Sequence, residues 1–182
     1  MEPRLADAMA YAEEARADLL ATLELLPSEL REARPTEEGW SAAEILEHLA
    51  RVEKGIAKLV ALKVAELAGA GHGDDGAGDK PPIDPSRFAI VVEATAKLDA
   101  PDRTRPAGEL SAGAAARALG ETRAMLRAEL AKGDGLALAT AHHPHPFLGP
   151  LDLHEWVFFV GAHERRHAAQ LRALAQHFAS AT

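Results

Sequence analysis

Two histidines near the C-terminal end of the chain have the spacing of a metal-binding pair. His163 and His167 lie four positions apart in the run His163-Glu164-Arg165-Arg166-His167. On a helix this spacing places both imidazoles on one face, where together they can bind a divalent metal. The run also matches H-E-x-x-H, the zinc signature of metalloproteases, in which the glutamate serves as general base. The spacing alone leaves both kinds of site open.

The metalloprotease interpretation lacks a third ligand. In the extended signature H-E-x-x-H-x-x-G-x-x-H, Gln170 would take the glycine position and Ala173 the last histidine position. Fifteen residues follow His167, and none of them is aspartate or glutamate. The sequence also predicts no strand that could align a peptide substrate by edge addition. We therefore disfavour a protease.

A third histidine, His48, shares the inward-facing position of this pair. Apolar residues recur around it every three or four positions, which predicts the buried face of a helix. His163 and His167 lie on a similar apolar stripe of their own segment. A single inward histidine is commonly a hydrogen-bonded core residue, whereas three buried imidazoles need partners for six ring nitrogens. A three-histidine metal site open to water or substrate would supply those partners.

The elements that must position these residues are helices. The chain is rich in alanine, leucine, glutamate and arginine, which favour helix, and no segment alternates with the period of a strand. The segments with helical periodicity are Pro3–Leu26, Ala42–Leu67, Ala112–Lys132 and Asp152–Ala179. The predicted capping residues are Ser41 with Glu44, Ser111, and Asp152 with Glu155. We therefore predict an all-α fold, a four-helix bundle.

A connection of about forty residues joins the second and third predicted helices. Its first part, Gly69–Asp79, consists largely of Gly, Ala, Asp and His, which predicts a flexible loop with little to bury. Its second part, Pro81–Gly108, contains Phe88, Ile90 and Val91, which we expect to be buried over one end or flank of the bundle. So long a connection can cover a site, and it does not force an up-down-up-down order of helices.

Composition and charge narrow the class of protein. A chain of 182 residues fits a single domain spanning residues 1–182. It has no cysteine, so metal ligands must be histidine or carboxylate, and its net charge of −8 argues against binding to nucleic acid. No apolar run approaches the roughly 18 residues that span a membrane, and we see no secretory signal at the start. We expect a cytoplasmic protein that could form a homodimer.

Three parts of the sequence carry the motifs of one known family. Gly39–Leu49 resembles the signature of that family's second helix, and Arg105–Ser111 resembles the lead into its third. The parts similar to its fourth-helix signature are His145–Leu151, Glu155-Trp156 and His163–Leu171. In this order, from about residue 34 to residue 174, the chain resembles the DinB-like (YfiT-like) superfamily.

This resemblance implies a fold, a cofactor and a class of activity. The fold is a four-helix bundle whose connections do not follow simple up-down order. The cofactor is a divalent metal, zinc or nickel, on His48, His163 and His167, which match the family's ligand positions. The implied activity is that of a low-molecular-weight-thiol S-transferase or a hydrolase, acting on a small electrophilic substrate through a nucleophile that the metal activates.

A non-catalytic function is the alternative. The bundle would then hold a structural metal, or bind a small molecule as a sensor. A fourth protein ligand that closes the metal site would favour this alternative, whereas an open coordination position favours an enzyme.

The remaining histidines suggest no second metal site. His142, His143 and His145 lie in a proline-interrupted stretch, which we expect to be a loop that does not preset metal geometry. We expect His142 and His143 to be solvated, and the family match places His145 just before the last helix, at the rim of the pocket. The histidines without a partner at ligand spacing are His72, His154 and His177.

For each charged residue close in sequence to the three histidines, two roles are open. Glu44, one turn before His48, either caps its helix or accepts a hydrogen bond from the imidazole. Glu164 is either a surface residue or the hydrogen-bond partner of a loop. Arg165 and Arg166 could bind an anionic substrate, although surface ion pairs are the more common role of such residues.

Overall fold

The structure of the protein is a computed structural model that describes residues 2–73, 81–93 and 100–180. The four long helices are α1 (Pro3–Leu23), α2 (Ala42–Gly69), α4 (Ala112–Lys132) and α5 (Leu153–Ser180). The shorter elements include helix α3 (Ala89–Val92) and strands β1 (His142–His145) and β2 (Gly149–Asp152). The predicted all-α class is confirmed, and within the described ranges no helix is long and apolar enough to cross a membrane.

The predicted capping residues fix the helix starts. At α2, Glu44 N–H donates to Ser41 Oγ at 3.2 Å, and Ser41 N–H donates to Glu44 Oε2 at 2.9 Å. Asp152 and Glu155 exchange the same two kinds of bond at the start of α5, at 2.9 and 3.0 Å. The first helix stops at Leu23, three residues short of its predicted end, because the chain tightens into turns ahead of a proline.

The helices run up, down, down and up, in chain order. The contacts that fix the directions are Arg4–Asp152 and Asp18–Arg172 for α1 with α5, and Glu53–Arg123 and Val64–Gly133 for α2 with α4. Each of these pairs is therefore parallel. Leu5 near the start of α1 shares a core cluster with Leu67 near the end of α2, so the two pairs oppose one another. A 28-residue helix is about 40 Å long, which is why the chain needs a long connection to return for α4.

A buried layer of charge, here called the ion layer, divides the apolar core into two clusters. It contains one residue from each long helix: Arg16, Glu53, Arg123 and Glu164. Arg16 Nη2 donates to Glu53 Oε2 at 2.7 Å, and Arg123 Nη2 donates to Glu164 Oε1 at 3.0 Å. Arg16 also contacts Glu164, and Arg123 also contacts Glu53. Two positive and two negative charges therefore tie all four helices together at one level.

The ion layer was not predicted from the sequence, and the predicted environment of Glu164 is wrong. Glu164 is 1% exposed, so neither a surface position nor a loop partner is correct. A signal was present, since each member of the layer interrupts an apolar stripe, as Arg16 does between Ala12 and Leu19. Each charged residue of the layer has its partners on other helices. Which residues these partners are depends on how the helices pack, and local sequence does not show it.

The connection from α2 begins with backbone pairing to the segment after α4. Ala137 N–H donates to His72 O at 3.3 Å, and Gly73 forms a bridge with Leu136. Residues 74–79, which make up most of the predicted flexible loop, lie outside the described residues.

The later part of the connection packs on the bundle, as expected, but one of the three apolar residues predicted to be buried does not. Phe88 and Val91 are buried, and the Phe88 ring lies 4.9 Å from that of Phe158 on α5. Ile90 is 62% exposed, so its predicted burial is wrong. The physical reason is helical spacing: positions three apart share the face towards the bundle, and the residue between them does not.

A β-hairpin precedes α5 where the sequence predicted an irregular loop. β1 pairs antiparallel with β2, with His145 opposite Gly149, and Gly149 adopts the positive φ of +71° that favours glycine. Trp156 Nε1–H on α5 donates to His143 O at 3.2 Å. The prediction of a loop without fixed geometry is wrong because contacts with α5, rather than alternation along the strands, stabilise this hairpin.

Candidate metal centre

Three histidines from two helices meet at one point. Nε2 of His48 on α2 lies 3.4 Å from Nε2 of His163 on α5, and Nε2 of His167 lies 3.1 Å from the same atom. Two nitrogens bound to one tetrahedral zinc ion at 2.0–2.1 Å are roughly 3.3 Å apart. The structure therefore brings together the three residues singled out by the sequence, and both of these separations match the distance that a shared ion requires.

Two of the rings are oriented by hydrogen bonds from their outer nitrogens. His48 Nδ1–H donates to Thr104 O at 2.8 Å, and His167 Nδ1–H donates to Gln170 Oε1 at 2.7 Å. Because Nδ1 carries the hydrogen in both rings, each Nε2 presents a lone pair towards the other histidines. Metal-binding histidines are generally held by bonds of this kind.

Glu44 acts as a helix cap and does not contact His48. Its carboxylate accepts hydrogen bonds from Ser41 N–H and from Arg34 Nε, both at 2.9 Å. Thr104, in the connection between α2 and α4, instead provides the acceptor for His48. Thr104 could not be predicted from the sequence, because its segment has no periodicity and the interaction uses only a backbone carbonyl.

Burial keeps the three imidazoles neutral near pH 7. It lowers the pKa of His167 to about 3, helped by the nearby His48. Burial, together with the neighbouring His167 and His48, holds the pKa of His163 well below its ordinary value. The lone pairs of His48 and His167 thus both face Nε2 of His163, which carries at most one hydrogen and can donate it to only one of them. A divalent cation would satisfy all three nitrogens.

No carboxylate joins this cluster among residues 2–73, 81–93 and 100–180. Within those ranges the three histidines form a group of potential ligands whose atoms lie within 4.8 Å of one another. If these three histidines bound a metal, they would leave coordination positions for water or substrate, which is the arrangement of catalytic rather than structural zinc sites.

A cleft of about 1260 Å³ opens onto the three histidines. Its apolar lining includes Trp40, Ile45, Val52, Ile56, Leu59, Phe147, Trp156, Phe159 and Leu174. The connection between α2 and α4 adds Ile90, Val91, Pro101 and Thr104, so this segment forms part of the wall. A mainly apolar cleft with a few polar groups is typical of a small-molecule site.

Arg166 lies in the wall of this cleft, so the surface position expected for it is wrong. The residue is buried, at 8% exposure, and lines the cleft beside the histidines. Arg165 points elsewhere: its guanidinium lies 4.6 Å from the centre of the Tyr11 ring and 3.5 Å from Glu14. Successive helical residues differ by about 100° in direction, which accounts for the separation.

Glu164 faces the ion layer rather than the three histidines. Its Oε1 accepts hydrogen bonds from Arg16 Nε and Arg123 Nη2, each at 3.0 Å. A metalloprotease requires this glutamate to act as general base on water at the metal. The structure therefore supports the sequence argument against a protease.

His145 is buried in the wall of the cleft, whereas His142 and His143 are exposed. Burial lowers the pKa of His145 to about 4. Its ring lies 4.5 Å from that of Phe159, which in turn stacks on His163 at 5.4 Å. The sequence placed His145 at the rim of a pocket, and the structure places it deeper, in the wall.

His154 has a structural environment away from the cleft. It is fully buried, with Nε2 2.8 Å from Glu2 Oε2 and Nδ1 3.1 Å from Arg4 Nη1. These contacts fasten the start of α1 to the start of α5. His177 lines the cleft, and His72 is exposed.

Fold and site together define a class: a four-helix bundle of up-down-down-up order with three histidines at the base of an apolar cleft. Residues 11–171 match the model of the DinB superfamily, and the chain belongs to that superfamily. The similar proteins include "Uncharacterized protein YuaE" of Bacillus subtilis (strain 168), which is 26% identical over 171 residues, 91% of this chain and 96% of that protein.

A similar solved structure is "Crystal structure of TT2238, a four-helix bundle protein". The TM-score is 0.57 at 23% sequence identity, and the match covers 93% of this chain and 98% of that one. This likeness supports the four-helix fold.

Proposed function

We propose that this chain is a metal-dependent enzyme in which His48, His163 and His167 hold one divalent cation, zinc or nickel. The observation that carries the proposal is the convergence of three Nε2 atoms, 3.1 and 3.4 Å apart, at the base of an apolar cleft. Membership of the DinB superfamily supports it. The absence of cysteine leaves histidine and carboxylate as the side chains that could bind such a metal.

The proposed reaction is transfer of a low-molecular-weight thiol to a small electrophile, or hydrolysis of that electrophile. A cation bound by three neutral imidazoles lowers the pKa of a water or thiol at an open position, which produces a nucleophile near pH 7. The chain itself contributes orientation: Thr104 O and Gln170 Oε1 hold two of the rings, and Phe159 stacks on the third. The apolar wall favours a substrate with a hydrophobic body.

A turnover assay tests this proposal. Protein without an affinity tag is loaded with zinc or nickel and given a panel of small thiols with a chromogenic aryl halide. A chromogenic ester without thiol tests hydrolysis. We expect turnover with at least one combination, its loss in His163→Ala, and its retention in His142→Ala, which removes an exposed histidine. Full metal occupancy without turnover in either assay would instead favour a non-catalytic metal protein.

A further inference from the structure

His145 occupies the cleft wall outside the three-histidine cluster, and the hairpin turn fixes which of its nitrogens carries hydrogen. Nδ1 accepts hydrogen bonds from Phe147 N–H at 3.2 Å and from Leu148 N–H at 3.3 Å. A nitrogen that accepts two backbone bonds must carry its lone pair. In the neutral ring the hydrogen is therefore on Nε2. The same bonds exclude Nδ1 as a metal ligand.

The remaining nitrogen is a donor without a partner in the part of the chain that the structure describes. Within those residues no hydrogen bond involves Nε2 of His145, although the residue is only 9% exposed. The ring is surrounded by aromatic side chains, with Phe159 at 4.5 Å and Trp156 at 5.4 Å between ring centres. His145 Nε2 itself is accessible in the open cleft. A molecule that fills the cleft would shield this donor from water, which is costly unless the molecule accepts its hydrogen bond.

The position of this donor relates it to the three-histidine cluster. One phenyl ring, that of Phe159, contacts both His145 and His163, and both histidines line the same cleft. A small molecule with one atom at the cluster and an oxygen acceptor a few bonds away would extend along this ring towards His145.

We propose that His145 is a substrate-binding residue that donates its Nε2–H to an oxygen acceptor, a carboxylate or carbonyl, on the molecule held at the three-histidine cluster. This inference rests on the proposed function, because it needs a molecule bound there. It adds a substrate class: a small metal-binding compound, such as a thiol, that also carries an oxygen acceptor. In such an apolar wall the hydrogen bond discriminates strongly, since a compound without the acceptor leaves the donor unpaired.

Two variants distinguish the acceptor function of Nδ1 from the donor function of Nε2. In His145→Asn the amide oxygen can take the place of Nδ1 and keep the bonds to the turn, but no donor remains at the Nε2 position. In His145→Gln the longer amide can present an N–H near the Nε2 position, at the expense of the turn bonds. If His145 has only a structural role, His145→Asn should keep the wild-type properties and His145→Gln should lose them. If His145 binds substrate, His145→Asn should lose the wild-type ligand preference and His145→Gln should keep it.

The probes are mercaptopropionate, which has a carboxylate, and butanethiol, which has none. Their binding to cobalt-loaded protein is followed by the thiolate-to-metal absorption band. We expect the wild type to prefer mercaptopropionate by about tenfold, the effect of one charge-assisted hydrogen bond. His145→Asn should lose this preference while binding butanethiol normally, and His145→Gln should retain most of it. An unchanged preference in His145→Asn would overturn the inference.

Metal content and NMR distinguish this inference from the proposed function. Both variants and the wild type should bind one equivalent of cobalt; failure of the wild type to do so contradicts the proposed function itself. In the wild-type protein, a two-bond proton–nitrogen correlation spectrum should show the Nε2–H tautomer of His145 with or without metal. Mercaptopropionate, but not butanethiol, should shift that proton. An Nδ1–H tautomer, or no shift, would contradict the role of His145 even if a variant failed to fold.

Discussion

Thr104 and Gln170 would influence the metal centre without touching the cation. Each accepts the outer N–H of a histidine, at 2.8 and 2.7 Å, and so fixes both the tautomer and the plane of the ring. Loss of such an acceptor lets the ring rotate and weakens its Nε2 as a ligand. At the scale of single residues, the site consists of three ligands and the groups that orient two of them.

Replacing the acceptor on Gln170 should weaken metal binding without removing a ligand. We expect Gln170→Ala to lower zinc affinity about tenfold or more, in line with other groups that orient metal-bound histidines. Competition with a chromogenic chelator measures this affinity. Gln176→Ala is the matched control, because Gln176 is exposed on the same helix and does not line the cleft. Equal affinities in the two variants would argue against an orienting role for Gln170.

The sequence identified the three clustered histidines because each lies on the apolar stripe of a long, strongly periodic helix. It did not identify Thr104, whose contribution is a backbone carbonyl in an aperiodic segment. His145 was placed near the pocket through the family resemblance alone. Its tautomer depends on a hairpin turn that local propensity does not predict, since both strands contain proline.

At the scale of elements, the ion layer holds the four helices in register around the site. Two of its members are close in sequence to the clustered histidines: Glu164 follows His163 directly, and Glu53 lies five residues after His48. The two arginines and two glutamates form four ion pairs between different helices. Such a layer does not necessarily add stability over an apolar one, but it makes the removal of any single member costly.

Removal of Glu164 should strongly destabilise the fold. In Glu164→Ala, Arg16 and Arg123 would share one buried carboxylate, and we expect a loss of about 3–5 kcal/mol in the free energy of unfolding. Urea denaturation followed by circular dichroism measures the change. Glu121→Ala, an exposed position on α4, should change stability by less than about 0.5 kcal/mol. A similar small change in Glu164→Ala would mean that the layer is not a structural element.

Substitutions of Phe88 and Ile90 should have different effects, the first on stability and the second on ligand binding. Phe88 is fully buried and does not line the cleft, so Phe88→Ala should cost about 3–5 kcal/mol of stability. Ile90 is exposed and lines the cleft, so Ile90→Ala should alter the affinity for an apolar ligand with little change in stability. Urea denaturation measures the stability of both variants, and binding of butanethiol to the cobalt-loaded protein measures their affinity for an apolar ligand. The reverse pattern would contradict the placement of α3.

These helices illustrate what periodicity can and cannot predict. The long helices were located because their apolar spacing and caps are local properties, and their starts agree with Ser41, Ser111 and Asp152 as caps. The family resemblance predicted that the connections depart from simple up-down order, but the directions of the individual helices were not predicted from spacing. Charges within the stripes, such as Arg16 and Glu53, were visible in the sequence, but their meaning depends on which helices are neighbours.

At the scale of the whole molecule, the cleft buries several neutral histidines, so folding and protonation are linked. An unfolded histidine has a pKa of about 6.5, whereas burial lowers the pKa of His167 to about 3 and of His145 to about 4. Below about pH 6.5 the unfolded chain therefore binds protons that the folded chain does not. The stability that the protein has above this pH is lost as the pH falls towards the lowered pKa values of the buried histidines.

The metal-free protein should thus lose stability as the pH falls below about 6.5. One buried neutral histidine contributes a slope of up to about 1.4 kcal/mol per pH unit. Urea titrations between about pH 7.5 and 5 measure the slope, and His167→Gln should reduce it by one such contribution. His72→Gln, at an exposed position, is the control. A slope that His167→Gln leaves unchanged would show that His167 is not neutral and buried in the folded protein.

The three-histidine metal site is tested by the zinc content of the purified, untagged protein after incubation with zinc and removal of the excess. We predict about one zinc per chain in the wild type and in His142→Ala, because exposed histidines contribute nothing to a three-histidine site. His163→Ala should hold almost none while keeping its helical circular dichroism, because packing of the helices supplies the fold. A wild type without zinc, or a His163→Ala variant that retains it, would contradict a metal site formed by His48, His163 and His167.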